Sequence, residues 1–505
     1  MMSNSRLILL VTLTLLASAG SAAVLSTEDT LFRVEPTTLS AEASDNLLLG
    51  TLAPRYSMSR VVLSAHSAPA AWAPVPQLGS GGRGFNVEAD MFQRLGLKDA
   101  VWGRAAYKNG WRYDVVWNET SDFRELYPYV MGDPIGGDLQ YEQYELSGGY
   151  SVNYRRSQFG FELGYRALSE YRTRDPRPGN TTADLHGRLA YGFFIGPNSV
   201  LGATLLLGKY KQTNELTFMN ELGASREYHL TGIGNDFVRF SGTSNNAFYK
   251  GHNLGFTLEL LPTDMMRGLS VSLGYNHTMR EKILSDLNRL PLNRLDCDIL
   301  SAEFVWQQSA YGIGFNARHN IRRGKDNLFG EATGNVYPQI GSRLQYHGSE
   351  TRVGASGFGE LRAGRFIFTL MPSVWWTALR GKHADSGNRF ETSDLLYAIR
   401  FKMRFTMSKN MLATDIQLGR RNNLTHKLVL NKTADEGRQS TMSLGDALRR
   451  VDEYYSGGET GIRFAASYSR SVWGGKILAL RLGYERRGYV ADAGNEYSAA
   501  VSLRF

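Results

Sequence analysis

The sequence predicts an all-β chain closed into a transmembrane antiparallel β-barrel of about 16 strands, with 14 as the alternative count. Three observations predict it. Apolar and polar residues alternate with a period of two in many separate segments, the pattern of strands with one greasy and one polar face. The links between those segments alternate between short and long, as short periplasmic turns and long extracellular loops do. Beyond the first residues no apolar run reaches the roughly 18 residues that a membrane helix needs, a requirement a barrel escapes because lumen-facing residues dilute its lipid-facing ones.

The first residues read as a secretory leader, 1–23. Arg6 supplies the positive charge, Leu7 to Leu16 the apolar core, and Ala17 to Ala23 the small-residue cleavage region. Cys297 is the only cysteine, which excludes an internal disulfide framework and a cysteine-rich metal site. The net charge is +9, or +8 once Arg6 leaves with the leader. That surplus does not point to nucleic acid, since the chain is secreted and shows no basic helix or RNA-binding motif.

Residues 24–98 are expected to form a periplasmic or plug segment ahead of a barrel at 99–505. Ala68 to Pro76 reads as extended linker. Gly79, Gly81 and Gly84 match the spacing of a dinucleotide fingerprint, but prolines rather than a buried strand precede them, so a loop is expected. Asn86 to Leu97 has the spacing of a short amphipathic helix.

Val101–Tyr107 and Trp111–Trp117 flank Asn109-Gly110 and read as a hairpin. Alternation then recurs from Tyr144 to Tyr484. Gly196–Ser199, Arg362–Arg365 and Ser408–Asn410 are short links, whereas 211–250, 279–297, 320–349, 380–393 and 420–456 are long and polar. One hairpin shows the two faces in detail. Ile399, Phe401, Met403 and Phe405 alternate with Arg400, Lys402 and Arg404, and a turn at Ser408-Lys409 sets Lys402 opposite Asp415 and Phe401 opposite Ile416. A one-residue slip would turn charge into lipid, so the register is well determined. The final segment, Tyr497 to Phe505, alternates too. Tyr497, Val501, Leu503 and Phe505 form the greasy face and an aromatic ending, which looks like the signal read by the barrel-assembly machinery of Gram-negative outer membranes.

Val101–Gly110, Trp117–Asp122, Tyr127-Pro-Tyr129 and Tyr171-Arg-Thr-Arg-Asp-Pro-Arg-Pro178 resemble an uncharacterised family of outer-membrane β-barrel proteins from Bacteroides-type bacteria. The resemblance implies outer-membrane localisation. It also implies an uptake context, because genes of that family tend to lie near TonB-dependent receptors and surface lipoproteins, which become candidate partners. It implies no catalytic residues.

The candidate site is therefore the lumen. Arg400, Lys402, Arg404, Arg463 and Arg481 are its expected basic residues, and Glu162, Glu259, Glu303, Asp415 and Glu485 its acidic ones. Asp415 is the one acid clearly placed against the Arg400–Arg404 run. No His-Glu-x-x-His or Gly-x-Ser-x-Gly motif occurs, so neither an enzyme nor a metal or other cofactor is expected. His277 and His319 read as polar residues at the membrane edge. The expected function is a porin-like channel or an accessory barrel of an outer-membrane uptake system, favouring anionic solutes if basic charge is in surplus. The alternative is a non-conducting anchor whose long loops bind a partner or ligand.

Overall fold

The computed structural model describes residues 46–48 and 58–505, apart from 72, 97, 221–225, 241–245, 265–266, 335, 435–440 and 490–492. The leader at 1–23 lies outside the described residues. The strands, in chain order, begin with β1 (Met58–Ala68), β2 (Gly81–Arg94), β3 (Asp99–Val115), β4 (Met131–Gly132), β5 (Gly137–Tyr154), β6 (Ser157–Tyr171) and β7 (Arg177–Phe194). They continue with β8 (Ser199–Thr217), β9 (Tyr228–Gly232), β10 (Asn235–Asp236), β11 (Asn246–Pro262), β12 (Gly268–Leu284), β13 (Leu290–Gln308) and β14 (Tyr311–Phe329). The last seven are β15 (Gln339–Ala363), β16 (Phe366–His383), β17 (Arg389–Met407), β18 (Asn410–Val429), β19 (Glu459–Ser471), β20 (Ile477–Gly488) and β21 (Ala493–Arg504).

Eighteen of them form one sheet in which each strand pairs antiparallel with the next, and β21 pairs with β1 to close the barrel. Closure matters because lipid offers no hydrogen-bond partner to an open strand edge. The outward face is apolar: Leu63, Leu146, Phe161, Leu205, Phe256, Leu273, Phe315, Phe401 and Val501 all project from the wall. No helix among the described residues is long and apolar enough to cross a membrane. A spanning strand needs about 9–11 residues, and most of these strands have 17 to 20. The ladder therefore continues well beyond the apolar band, toward the end of the barrel remote from Met58 and Phe505, hereafter the outer end.

Several expectations are corrected. The barrel has 18 strands rather than about 16, because residues 58–94 supply two wall strands, β1 and β2, instead of a plug or periplasmic segment. Asn86 to Arg94 is accordingly strand, not helix, and Asn86, Glu88 and Asp90 face the lumen, where Arg60 bonds Asp90 at 2.8 Å. Gly81 and Gly84 belong to β2, not to a loop; a Cβ on Gly84 would sit 2.6 Å from the Asn109 carbonyl oxygen. Asn109-Gly110 is not a turn: β3 runs straight through it, paired with β2 and β5. Finally, the long polar links are shorter than they read, because strands extend into them. Only 285–289 separates β12 from β13. Once above lipid a strand has no need of an apolar face, so alternation fades while the backbone ladder persists.

The β17–β18 hairpin has the expected register, with Lys402 opposite Asp415, Phe401 opposite Ile416, and Ser408 at φ 41° in the turn. At the closing seam Phe505 exchanges backbone hydrogen bonds with Ser59 at 2.8 and 3.0 Å. Deleting Phe505 removes this last closing pair along with the aromatic ending. We expect a several-fold lower yield of heat-modifiable barrel on SDS gels, with degradation fragments. A change of Ser502, on the lumen side of β21, to Ala should leave the yield unchanged. Equal yields from the deletion and the parent would show that the ending is not used.

Candidate functional site: an outer plug and the vestibule beside it

An 18-strand barrel encloses a water-filled lumen unless something fills it. Here the fill comes from the outer end. The described parts of segments 116–136, 218–245 and 430–458 turn inward and pack together. They carry α1 (Phe123–Leu126), the three-stranded sheet β4–β9–β10, and α2 (Leu444–Ser456). Their apolar core holds Trp117, Leu126, Met131, Tyr228, Leu230 and Leu444, packed on the lumen-facing Tyr210 and Tyr249 of the wall. Trp117 is fully buried, meets the Tyr228 ring edge-on at 5.2 Å, and donates its indole N–H to the Met442 carbonyl at 2.7 Å. Ser443 caps α2 by accepting from the Asp446 amide. Aromatic burial of this extent is the interior of a folded domain, not a loose loop.

Polar side chains of the wall fasten the plug on several sides. Arg166 of β6 binds Asp122 bidentately at 2.9 and 2.6 Å, and the Tyr210 hydroxyl donates to the same carboxylate at 3.0 Å. Arg280 of β12 pairs with Glu125 and stacks over Tyr210 at 4.6 Å. Lys282 Nζ donates to the Val130 carbonyl at 3.1 Å, and Arg322 of β14 to the Arg124 and Tyr127 carbonyls at 2.7 and 3.0 Å. Near β17, Asn388 donates to the Ile233 carbonyl at 2.8 Å.

The deepest knot is ionic. Arg172, in the turn after β6, bonds Glu119 at 3.0 Å, Asp133 at 2.8 Å and the Pro176 carbonyl at 2.7 Å. Arg172 is 3% exposed, and Glu119 and Asp133 are fully buried. Asn180 and Asn214 donate to the Glu119 carbonyl at 2.8 and 2.6 Å. Glu227, also buried, faces Glu119 carboxyl to carboxyl. Burial pushes Glu227 up to about 8, with the charge of Asp133 adding to the rise. Burial, then the charges of Glu227 and Asp133, holds Glu119 well above the usual carboxylate range. Two carboxyls in such contact keep a proton between them.

Beside the plug a cavity of about 930 Å³ remains between α1, α2 and the outer ends of the wall strands near the closing seam. Tyr141, Tyr454, Tyr455 and Tyr489 contribute aromatic surface, and Tyr454 and Tyr455 stand 4.9 Å apart, centroid to centroid. Arg112 pairs with Glu170, Lys108 with Glu145 at 2.7 Å, and Arg487 with Glu485 at 2.6 Å. The cavity thus presents ion pairs and tyrosines together, a lining able to hydrogen-bond and stack against a polar solute.

At the opposite end of the lumen Asn46, Leu47 and Leu48 lie against β6, β7, β8 and β11. Leu47 and Leu48 pack with Ala190, Leu261 and Trp102, and a Cβ on Gly202 would sit 2.5 Å from Leu48 Cδ1. Asn46 donates to Glu259 at 2.7 Å.

The residues expected at the lumen are distributed over several local pairs. Arg400 binds Asp415 at 2.8 Å, and Arg481 lies 3.8 Å from the same carboxylate. Arg404 reaches Glu360 at 3.5 Å, so the Arg400–Arg404 run has a second neutralising acid besides Asp415. Arg463 binds Glu485 at 2.6 Å. Glu162 takes hydrogen bonds from Arg188 at 3.0 Å and Trp102 at 2.9 Å. Lys402 and Glu303 lie on the same inward faces of their strands as these pairs. His277 and His319 lie on the outward face, bonded to Asp298 and Thr351, each at 2.8 Å. Among the described residues no group of three or more His, Cys, Asp or Glu is placed to hold a metal ion.

The knot itself was not foreseen. Glu119, Asp122, Tyr127, Tyr129 and Arg172 all belong to the segments that carry the family resemblance, yet nothing in their spacing shows that they meet.

Over residues 47–505 the chain matches a family of unknown function, DUF6850, and it belongs to that family. No curated protein matches its sequence. Among solved structures it is similar to BauA, the ferric preacinetobactin receptor of Acinetobacter baumannii, with TM-score 0.43 and 10% identity over 90% of this chain and 80% of that one. It is also similar to the ferric citrate transporter FecA in unliganded form, with TM-score 0.41 and 9% identity over 90% and 79%. A third is the monoaromatic hydrocarbon channel CymD, with TM-score 0.32 and 9% identity over 93% of each chain.

Breaking a buried ion pair from one side leaves the other charge stranded, at a cost of about 3–5 kcal/mol. Arg172→Ala should therefore release the plug, read as faster hydrogen exchange across 116–136 while the barrel strands stay protected. The parent should also depend on pH. A carboxyl raised in the folded state contributes stability that is present below its ordinary value of 4.5 and is lost as pH rises through about 8. Protection factors in the plug, taken relative to the intrinsic base-catalysed exchange rate at each pH, should fall between pH 5 and pH 9, and Glu227→Gln should flatten that dependence. A flat parent profile would show that the two carboxyls are not coupled to plug opening.

Proposed function

We propose that this protein is an outer-membrane barrel of an uptake system, held closed from the outside by its own loops, that captures a polar solute in the vestibule beside the plug. The observation that carries the reading is the knot of Arg172, Glu119 and Asp133. Burying three charges is costly unless the geometry is held, and here they tie an inward-folded loop to the wall. A free-standing porin needs no such tie. A display anchor would be expected to project its loops into water rather than fold them into the lumen. A TonB-dependent receptor or surface lipoprotein as partner remains part of this proposal, in keeping with a barrel that does not conduct alone.

Preference for anions is a secondary feature of the same proposal and concerns the barrel once opened. The Arg400–Asp415, Arg404–Glu360 and Arg463–Glu485 pairs reduce the basic surplus that Arg400, Lys402 and Arg404 would create alone. The remaining field acts over about 8 Å at physiological salt.

Planar-bilayer conductance tests both points. The purified full-length protein should show no steady open pore. A variant in which residues 118–134 are replaced by a short Gly-Ser link should conduct stably. Within that opened variant, Arg400→Gln with Arg404→Gln should move the reversal potential toward cations in a salt gradient. A steady wild-type pore would overturn the closed-barrel reading, and an unmoved reversal potential would overturn the anion preference.

A further inference from the structure

We infer that one side of the barrel's outer surface is a docking face for phosphate-bearing lipid of the outer leaflet. The inference depends on the membrane-spanning fold and not on whether the plug opens.

Following each outward face from the apolar band toward the outer end shows where charge begins. On β8 the outward Leu205 and Leu207 give way to Lys209 and Lys211, and on β16 Val374 and Trp376 give way to Arg380 and Lys382. Lys325 of β14 and Arg389 of β17 stand at the corresponding outer positions. All six are exposed. None of the six has a carboxylate partner within ion-pair distance among the described residues.

The register sharpens the point. Lys382 lies directly opposite Arg389, and Lys211 directly opposite Lys250. Cross-strand neighbours hold their Cβ atoms about 4.5–5.5 Å apart, and like charges so placed repel. Lys250 has Glu281 at 2.8 Å to offset it and Arg380 has Glu391 directly across from it, whereas Lys382 and Arg389 make no ion pair among the described residues. Opposed cations just above an apolar band form a site that a bridging anion would relieve. A phosphate whose acyl chains lie along the apolar band below arrives at that height without further design.

The clustered cations lie on one side. On the opposite arc, β1 to β7, the outward positions at the same stage of the strand are mostly uncharged, Ser67, Asn109, Gln140, Ser169 and Thr181, and the exposed Arg83 of β2, opposite Ser67, stacks over the Trp111 ring at 4.8 Å. A general requirement for solubility would spread charge evenly around the rim. A cluster with opposed cations, continuous with the apolar band, fits a lipid held at a fixed place.

The experiment uses the full-length barrel equilibrated in micelles containing equal moles of phosphatidylglycerol and phosphatidylcholine, with retained lipid counted by native mass spectrometry. Wild type should retain the anionic lipid at least about fivefold in excess, since each cation near an anionic surface favours it by roughly that factor. The triple variant K211Q/K382Q/R389Q should fall to within about twofold of parity while remaining heat-modifiable, and K211R/K382R should keep the preference. If the triple variant fails to fold, Lys382→Gln alone should give a partial loss. Equal retention of the two lipids by wild type overturns the inference. So does a preference unchanged in the triple variant, or co-purification of an acidic protein that is released by the same substitutions without any lipid preference.

Discussion

Closure of the hydrogen-bonded ladder between β1 and β21 is the constraint on which the rest of the molecule depends. In lipid an unpaired backbone N–H or C=O has nothing to bond, so a sheet can cross only if its two edges meet. The meeting is made by the first and last strands of the described barrel, from Ser67 with Tyr497 to Arg60 with Arg504, and Phe505 adds a final pair with Ser59. Once the edges meet, each strand has an inside and an outside, and alternation assigns every side chain to lipid or lumen. The interior ion pairs, the plug and the outward cations all inherit their positions from that single closure.

Eighteen strands make a ring too wide for its own wall side chains to fill. The chain meets this by folding outer segments back into the mouth, and the physics of the fill differs between its parts. The Trp117–Tyr228 core is ordinary apolar packing, with area removed from water on all sides. The attachment to the wall is mostly polar: Asp122 to Arg166, Arg322 to backbone carbonyls, and Arg172 to two buried carboxylates. Apolar packing holds the plug together as a body, while directional bonds fix where it sits. A body held by directional bonds can be released by a change at a few of them, and the buried contact of Glu119 with Glu227 beside Arg172 is one such point.

The vestibule follows from an asymmetry in the fill. The plug leans on β6 through β16, and α2 is fastened to β17–β19 by Arg421, which bonds the Tyr454 carbonyl at 2.6 Å and stacks on the Tyr454 ring at 4.4 Å. The strands on either side of the closing seam are left with space in front of them. Their inward residues therefore line the vestibule rather than contact the plug core.

The local code was legible in the sequence wherever a strand has one face in lipid. Ile399, Phe401 and Leu418 alternate with Arg400, Lys402 and Gln417, and this alone determined the strand, its orientation and the Lys402–Asp415 register, because a slip would place charge in hydrocarbon. β1 and β2 carry the same code, Val61 and Leu63 and then Phe85, Val87 and Met91 alternating with polar residues, but Asn86 to Leu97 also fits helical spacing, and only pairing with β1 and β3 decides for strand. In the outer halves of the strands polar residues occupy both faces and the backbone ladder, which has no sequence signature, holds the pairing. Arg172 could be read as charged but not as buried, and Glu119, Asp133 and Glu227 could not be seen to surround it. Those residues are up to 108 positions apart, and only the return of three separate loops into one lumen brings them into contact. Alternation is set by neighbours two residues away and survives in a linear sequence. The plug is set by which loops a closed ring forces to share its mouth, and only the tertiary structure decides that.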